Sequence, residues 1–339
     1  MSPSPNVSLA EASAREEPSK PEPLRGQVCV VIAAYNAAGT IVRAVRSALN
    51  QAQACEVIVV DDASPDATAE LARAQDDGSG RLKVFRLDLN AGPSGARNFA
   101  LQQSKAPIWC VLDADDYMNP GRLDQLAAQW DDCDFLADDL LFASDADPEK
   151  IVGSLFGQSG APSPTLDLQR FAFENIARPS HFRREYGFLK PLISRKFIDA
   201  HKLRYQDQLR LGEDYIFYGT ALAMGARFRL TGPAGYVAVE RGHSLSANHA
   251  TADLETFHLA CLELARQTKD QPSRAAVVRQ AQSVKQRLDH RRVLDVRRSR
   301  GVMAGLLELA NHPHSAGYIL LQTVRDKSRS RSRASTPHE

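Results

Sequence analysis

From Gln27 onward the chain alternates short, unbroken apolar runs with segments of helical spacing. Val28-Cys29-Val30-Val31-Ile32-Ala33-Ala34 is apolar throughout and rich in β-branched residues, the pattern of a strand covered on both faces. A turn at Asn36–Thr40 follows, and Ile41, Val45 and Leu49 then recur at helical spacing up to Asn50. Glu56–Val60 reads as a second buried strand, closed by Asp61-Asp62. Ser64-Pro65-Asp66 is a helix start, with Ala67–Ala74 as the helix. Leu82–Leu87 predicts a third strand, Gly95–Gln103 a helix, and Ile108–Leu112 a fourth strand that ends at Asp113. Strand and helix alternating at such short intervals give an α/β fold with a mostly parallel sheet flanked by helices. Between Ala143 and Pro179 the pattern weakens, with Gly and Pro interruptions from Gly157 to Pro164, and predicts loops with some helix. Regularity returns at Phe188–Leu203. Gly212-Glu213-Asp214 then opens a helix through Met224, Phe228–Leu230 and Tyr236–Val239 are short strands, and the chain is helical from about Leu254. No internal repeat is visible.

The polar residues gather where the predicted strands end: Tyr35-Asn36, Asp61-Asp62 and Asp113-Ala114-Asp115-Asp116. In open parallel sheets, ligands bind beyond the carboxyl ends of the strands. Three carboxylates directly after a buried strand repel one another and raise each other's pKa, a cost that a divalent cation removes. Mg²⁺ or Mn²⁺ is suited to such oxygens and is often held by one or two carboxylates plus a substrate's phosphates. Alternation along an extended segment lets Asp113 and Asp115 do different work, one gripping a nucleoside and the other the metal. The same tract also suits a solvated Asp-rich turn. Asp62 can accept a hydrogen bond from a base or a ribose, or simply cap the following helix, and Tyr35 can offer a base platform or pack. The Asn90–Asn98 segment is a Gly-rich turn into a helix. Backbone N–H groups around Gly92 attract anions there, and Arg97 is placed for a charge-assisted contact to a pyrophosphate. Glu213-Asp214 at a helix start supplies a base or merely complements the helix dipole.

Composition narrows these readings. Net charge is +1 with 24% charged residues, so nothing marks a nucleic-acid binder. The charge is unevenly spread: Gln271–Glu339 holds 14 Lys/Arg against 5 Asp/Glu, a local excess of 14 − 5 = +9. The five cysteines are odd in number and form no metal-ligand spacing, which points to a reducing, cytoplasmic setting. Residues 1–24 are rich in Ser, Pro, Glu and Ala and read as a disordered leader, not a signal peptide. No run supplies the roughly 18–20 apolar residues of a membrane span. The absence of GxxxxGK[ST] and of GxGxxG sets aside P-loop and dinucleotide enzymes.

Val28–Asn36, Val57–Asp66, Asn90–Asn98, Asp113–Asp116 and Gly212–Phe217 stand in the order and approximate spacing of family 2 glycosyltransferases with the GT-A fold, and the resemblance covers roughly residues 27–247. It implies a UDP-sugar donor and a Rossmann-like sheet. It further implies that Ala33, Tyr35 and Asp62 surround the uracil end, with Asn36 alongside. Asp113, Ala114 and Asp115 then form the DxD-type motif, Asp115 being the metal ligand. Of the Glu213-Asp214 pair, Asp214 is implied as the base for the acceptor hydroxyl, with inversion as the outcome. Ala33 departs from the Pro or Thr of many relatives. Arg241-Gly242-His243 resembles the late loop over the diphosphate, Arg241 facing phosphate and His243 completing the metal shell. The chemistry agrees: an inverting transfer needs one carboxylate as base and a cation to offset charge on the departing diphosphate.

The expected organisation is a leader (1–24), a catalytic domain (25–250, with a nucleotide half 25–118 and an acceptor half 119–250), a helical region (251–325) and a disordered basic tail (326–339). Gln286–Arg300 carries six arginines, and such a helix suits an anionic membrane surface or packs on the domain with its arginines solvated. A lipid-linked saccharide acceptor at the inner face of the membrane, and glucose as the donated sugar, complete the expectation. A sugar-1-phosphate nucleotidyltransferase shares the α/β plan but needs a Gly-rich basic loop where Tyr35-Asn36-Ala37-Ala38-Gly39 stands. A non-catalytic nucleotide-sugar-binding scaffold has no need of both Asp115 and Asp214.

Overall fold

A computed structural model of the chain describes residues 26–157, 164–176, 185–240 and 250–324. The leader and the basic tail expected at the two ends lie outside them. Four strands follow the apolar runs: β1 (Val28–Ala34), β2 (Ala54–Asp61), β3 (Leu82–Arg86) and β4 (Ile108–Val111). They pair in parallel in the order β3-β2-β1-β4. The helices α1 (Ile41–Leu49), α2 (Thr68–Arg73) and α3 (Gly92–Gln103) provide the crossovers. With helices on both faces, Val28 through Ile32 have no exposed surface at all. Full burial of each such side chain favours folding by about 1.5–3 kcal/mol, which is why these strands carry no alternation.

Past β4 the sheet becomes mixed. The strand β10 (Leu192–Ser194) runs antiparallel between β4 and β6 (Phe135–Ala137), and β11 (Phe228–Leu230) and β9 (Thr165–Leu166) complete eight strands. A second sheet of four has the order β5 (Tyr117–Met118), β12 (Tyr236–Glu240), β7 (Leu140–Ser144) and β8 (Asp147–Ser154). The β7–β8 hairpin corrects the expectation of loops and helix after Ala143. No residue of β8 is buried and most are exposed, so it carries no apolar alternation to read. The expected helix is α5 (Leu168–Glu174). Further helices are α4 (Arg122–Gln129), α6 (Arg195–His201) and α7 (Glu213–Ala223), then α8 (Thr251–Gln267), α9 (Gln271–Arg300) and α10 (Val302–Ala310). Residues 316–324 are helical again.

The C-terminal helices share the core of the sheet domain: Phe257, Cys261 and Leu264 of α8 and Val277, Ala281 and Val284 of α9 join it. The start of α9 is fixed by Asp270, whose side chain accepts the Ser273 N–H at 2.9 Å, and by Pro272 in the first turn. Its apolar stripe, including Leu288 and Val293, is buried. Arg292 reaches Glu255 at 2.7 Å. The basic helix expected to meet a membrane therefore turns its apolar side inward. The five cysteines are all free thiols. Among the described residues no helix is long and apolar enough to cross a membrane.

One contact ties the helical region to the head of α7. Gly212 precedes Glu213 with φ of +72°, and a Cβ built on it would lie 2.3 Å from the Phe257 ring. Gly212→Ala adds left-handed strain to an overlap with a buried ring, for an expected loss of about 2–5 kcal/mol. Denaturant titration against the wild type checks this; an unchanged midpoint would mean that α8 does not press on α7.

Candidate active site

The carboxyl ends of β1, β2 and β4 meet on one edge, where the strand order reverses between β1 and β4. Ala33 lies within β1, opposite Val60. Tyr35 follows and is 49% exposed. Asn36 adopts φ of +52°, a conformation that Asn tolerates, and its N–H donates to Ser64 Oγ at 3.0 Å. Asp62 is buried, and its carboxylate accepts the N–H groups of Ala91 (2.6 Å) and Gly92 (2.8 Å). Burial pushes its carboxyl above the ordinary range against the pull of those two bonds. The helix begins at Gly92 rather than the expected Gly95, and the Asp62 carboxylate lies at its first N–H groups.

Arg97, on α3, is only 4% exposed. Its Nη2 donates to Asp113 Oδ1 at 2.9 Å, and its Nη1 donates to Glu213 Oε1 and Asp214 Oδ1 at 3.0 Å each. The sequence reading gave Arg97 to a pyrophosphate; in the structure its terminal nitrogens serve carboxylates. Lys190, also 4% exposed, places its ammonium 2.9 Å from Asp113 Oδ2 and 2.8 Å from Asp214 Oδ2. A residue just before β10 thus joins the end of β4 to the head of α7. Tyr205 completes the cluster: its hydroxyl donates to Asp214 Oδ1 at 3.0 Å, Arg97 lies over its ring at 5.3 Å, and the ring stacks on Phe217 at 4.2 Å. Asn98 holds Tyr205 in place by bonds to its carbonyl (2.8 Å) and N–H (3.0 Å).

Three carboxylates against two cations leave 3 − 2 = 1 uncompensated negative charge in this network. Burial opposes ionisation of Asp113, but Lys190 and Arg97 outweigh it and hold its carboxyl below the ordinary range. Glu213 goes the other way: burial raises it, only partly offset by Arg97. Glu213 therefore keeps a proton more readily than Asp113 does.

The tract after β4 is clamped from the second sheet. Tyr236 on β12 donates its hydroxyl to Asp116 Oδ2 at 2.8 Å and accepts the Asp113 N–H at 3.1 Å. Asp116 Oδ1 accepts the Val239 N–H at 2.9 Å. Burial, with Asp113 and Asp115 nearby, pushes Asp116 well up. Ala114 is buried. Asp115 is half-buried, and its carbonyl accepts Arg43 Nη2 at 2.6 Å. Both oxygens of Asp113 and of Asp116 are engaged by protein groups. Among the described residues no three His, Cys, Asp or Glu side chains are grouped to hold a metal ion. A site of one carboxylate completed by ligand phosphates fits this donor set. Arg241 and His243 lie outside the described residues. Asp138, at the end of β6, is fully buried against Arg122 at 2.6 Å and belongs to the core.

Sequence reasoning missed Lys190, Tyr205, Tyr236 and Arg43. Lys190 left a faint trace, a lone lysine within the otherwise apolar Phe188–Ile193 run. Arg43 and Tyr236 carry no local pattern, because their partners lie at distant positions in the chain, and Tyr205 lies nine positions before Asp214 with no periodicity to link them.

The profile of Glycosyl transferase family 2 matches residues 29–183. The chain is 44% identical over 305 residues to the succinoglycan biosynthesis protein ExoU of Rhizobium meliloti (strain 1021), covering 89% of this chain and 88% of that protein. Among solved structures it resembles S. aureus TarS 1–349 in complex with UDP-GlcNAc, with a TM-score of 0.61 at 20% identity over 86% of this chain and 92% of that one. It also resembles the mannosyltransferase PcManGT from Pyrobaculum calidifontis in complex with GDP-Man and Mn²⁺, with a TM-score of 0.53 at 18% identity over 89% and 80%. Both share the α/β plan, which is the GT-A fold.

The cluster makes a direct demand on Lys190. Lys190→Met leaves Asp113 and Asp214 short of a buried cation, at an expected cost of about 3–5 kcal/mol near neutral pH. The Asp113 carboxyl lies below its ordinary value of 3.8 in the folded chain. Its stabilisation is therefore complete above that value and is lost as pH falls through the lowered one. The gap between Lys190→Met and wild type should accordingly narrow on acidification below the ordinary carboxylate range. Urea titrations at neutral and acid pH measure it; a constant gap would remove the carboxylates from the account.

Proposed function

This chain belongs to the family 2 glycosyltransferases, and from that premise we propose that it transfers a hexose, with glucose first among them, from a UDP-sugar to a saccharide acceptor, inverting the anomeric carbon. The observation that carries the reading is the single ammonium of Lys190 between Asp113 and Asp214. It brings the end of the nucleotide-side strand β4 and the carboxylate pair of α7 into one site. ExoU's name as a succinoglycan biosynthesis protein supports exopolysaccharide assembly as the setting. The UDP-GlcNAc of the TarS complex supports a UDP-sugar donor.

In this reading Tyr35, Asn36, Ala33 and Asp62 surround the uridine, and Asp113 and Ala114 border the ribose and diphosphate. Asp115 and His243 would hold Mg²⁺ or Mn²⁺, and Arg241 would face phosphate; the Mn²⁺ of the PcManGT complex is in keeping with such an ion. A bound divalent ion supplies positive charge against the leaving diphosphate. Asp214 takes the proton from the acceptor hydroxyl. The acceptor oxygen forms its bond to the anomeric carbon as the bond to the diphosphate oxygen breaks, its electron pair leaving with UDP. Arg97, Lys190 and Tyr205 fix the Asp214 carboxylate in position, and Glu213 orients the acceptor. The acceptor is a lipid-linked oligosaccharide met at the cytoplasmic face of the membrane. The reacting groups lie within residues 25–250, and the helical region 251–325 packs into the same core.

Two experiments test this. Calorimetric titration should give UDP binding that needs both Mn²⁺ and Asp115, and that is weakened in Asp115→Ala; binding indifferent to ion and substitution would end the metal assignment, and preference for GDP would end the donor assignment. Asp214→Asn should keep UDP affinity and lose about 10²–10⁴-fold in kcat, whereas Glu213→Gln should lose less. Near-normal transfer by Asp214→Asn, or the reverse ranking, would move the base elsewhere.

A further inference from the structure

The helix α10 is inverted relative to an ordinary surface helix. Val302 (61%), Met303 (72%), Leu306 (54%) and Leu307 (69%) are all exposed, and with Ala310 they fall on one face at helical spacing. The side that meets α9 carries the small Gly305, where an added Cβ would lie 2.8 Å from Arg297 Cβ. The helical residues 316–324 repeat the theme. Ile319 is buried beneath them, while Leu320, Leu321 and Val324 are 56%, 46% and 66% exposed. Apart from Tyr318, whose ring meets His290 of α9, and the buried Ile319, the two helices turn most of their large apolar side chains outward. Contiguous exposed apolar faces of this kind mark interaction sites.

Charge identifies the occupant. The last turn of α9 runs directly into α10 and carries Arg297, Arg298 and Arg300. All three are exposed, and none is ion-paired to another described residue. The face of α10 itself holds no charged residue. An apolar helix face bordered by unpaired arginines matches the boundary between anionic headgroups and acyl chains. A protein partner would have to present an apolar groove rimmed by acids; a bilayer offers both components by default.

We propose that α10 and residues 316–324 dock on the surface of an anionic bilayer, Val302, Met303, Leu306 and Leu307 entering the acyl boundary and Arg297, Arg298 and Arg300 meeting the headgroups. This deepens the membrane-face setting proposed above and rests on it. It moves the contact from the basic stretch of α9, whose apolar side is buried, to the helix that follows.

The test is co-flotation of the full chain with vesicles of equal parts phosphatidylcholine and phosphatidylglycerol, beside vesicles of phosphatidylcholine alone. Wild type should float with the anionic vesicles only. Leu306→Glu/Leu307→Glu should abolish flotation, and the triple Arg→Gln variant at 297, 298 and 300 should weaken it by about fivefold per arginine, roughly a hundredfold in all. Both variants change exposed positions, so their melting temperature and UDP affinity should match wild type. Matching UDP affinity with lost flotation separates this surface from the catalytic reading. No flotation of wild type, or flotation untouched by the variants, would overturn the proposal. So would concentration-dependent dimers abolished by Leu306→Glu/Leu307→Glu without vesicle binding, which would make the face a contact between copies.

Discussion

Five charged side chains packed into one largely buried cluster set the terms for the rest of the molecule. Asp113 sits at the end of a strand in the parallel half of the sheet, Arg97 on the third crossover helix, Lys190 before an antiparallel strand, and Glu213 and Asp214 at the head of a later helix. None of these groups tolerates burial alone, since an unpaired interior charge costs several kcal/mol. Each element must therefore arrive in register with the others. The apolar runs drive collapse, but they are non-directional; the ion cluster selects which arrangement of those runs is acceptable.

The second sheet answers the same constraint from outside. Tyr236 binds both Asp113 and Asp116, so the acidic tract is held on one side by cations and on the other by a hydroxyl and a backbone N–H. The result is a graded tract: Asp113 neutralised, Asp116 buried and inclined to hold its proton, and Asp115 between them at the half-exposed edge with its backbone gripped by Arg43. Asp113 and Asp116 thus shift in opposite directions, set by what surrounds each one rather than by their spacing.

How much of this was legible in the sequence follows from the range of each interaction. The four parallel strands and their helices were legible because burial on two faces leaves an unbroken local pattern, as in Val28–Ala34. The strand-end polar residues were legible as a set for the same reason: they stand where apolar runs stop. The partners of those residues were not. Arg97 looked like a phosphate ligand because a helix start and a guanidinium are local features, whereas the carboxylates it serves are 16, 116 and 117 positions away. The β7–β8 hairpin escaped because an exposed edge strand has no hydrophobic period. The outward face of α10 had no signal of its own. On a sequence, Leu306 and Leu307 are indistinguishable from core residues.

The closeness of Gly212 to the Phe257 ring also bears on how such chains can diversify. A terminal helical region that merely decorated the sheet domain could be exchanged between relatives without regard to the chemistry. Here the ring occupies the volume that any larger residue at position 212 would need, next to the acidic pair. A chimera that imports a new C-terminal region must therefore import the α7 head with it, or match the new ring to the old glycine. Recombination points that respect this fall before Gly212, and the inherited block then runs from the carboxylate pair through the outermost helices as one unit.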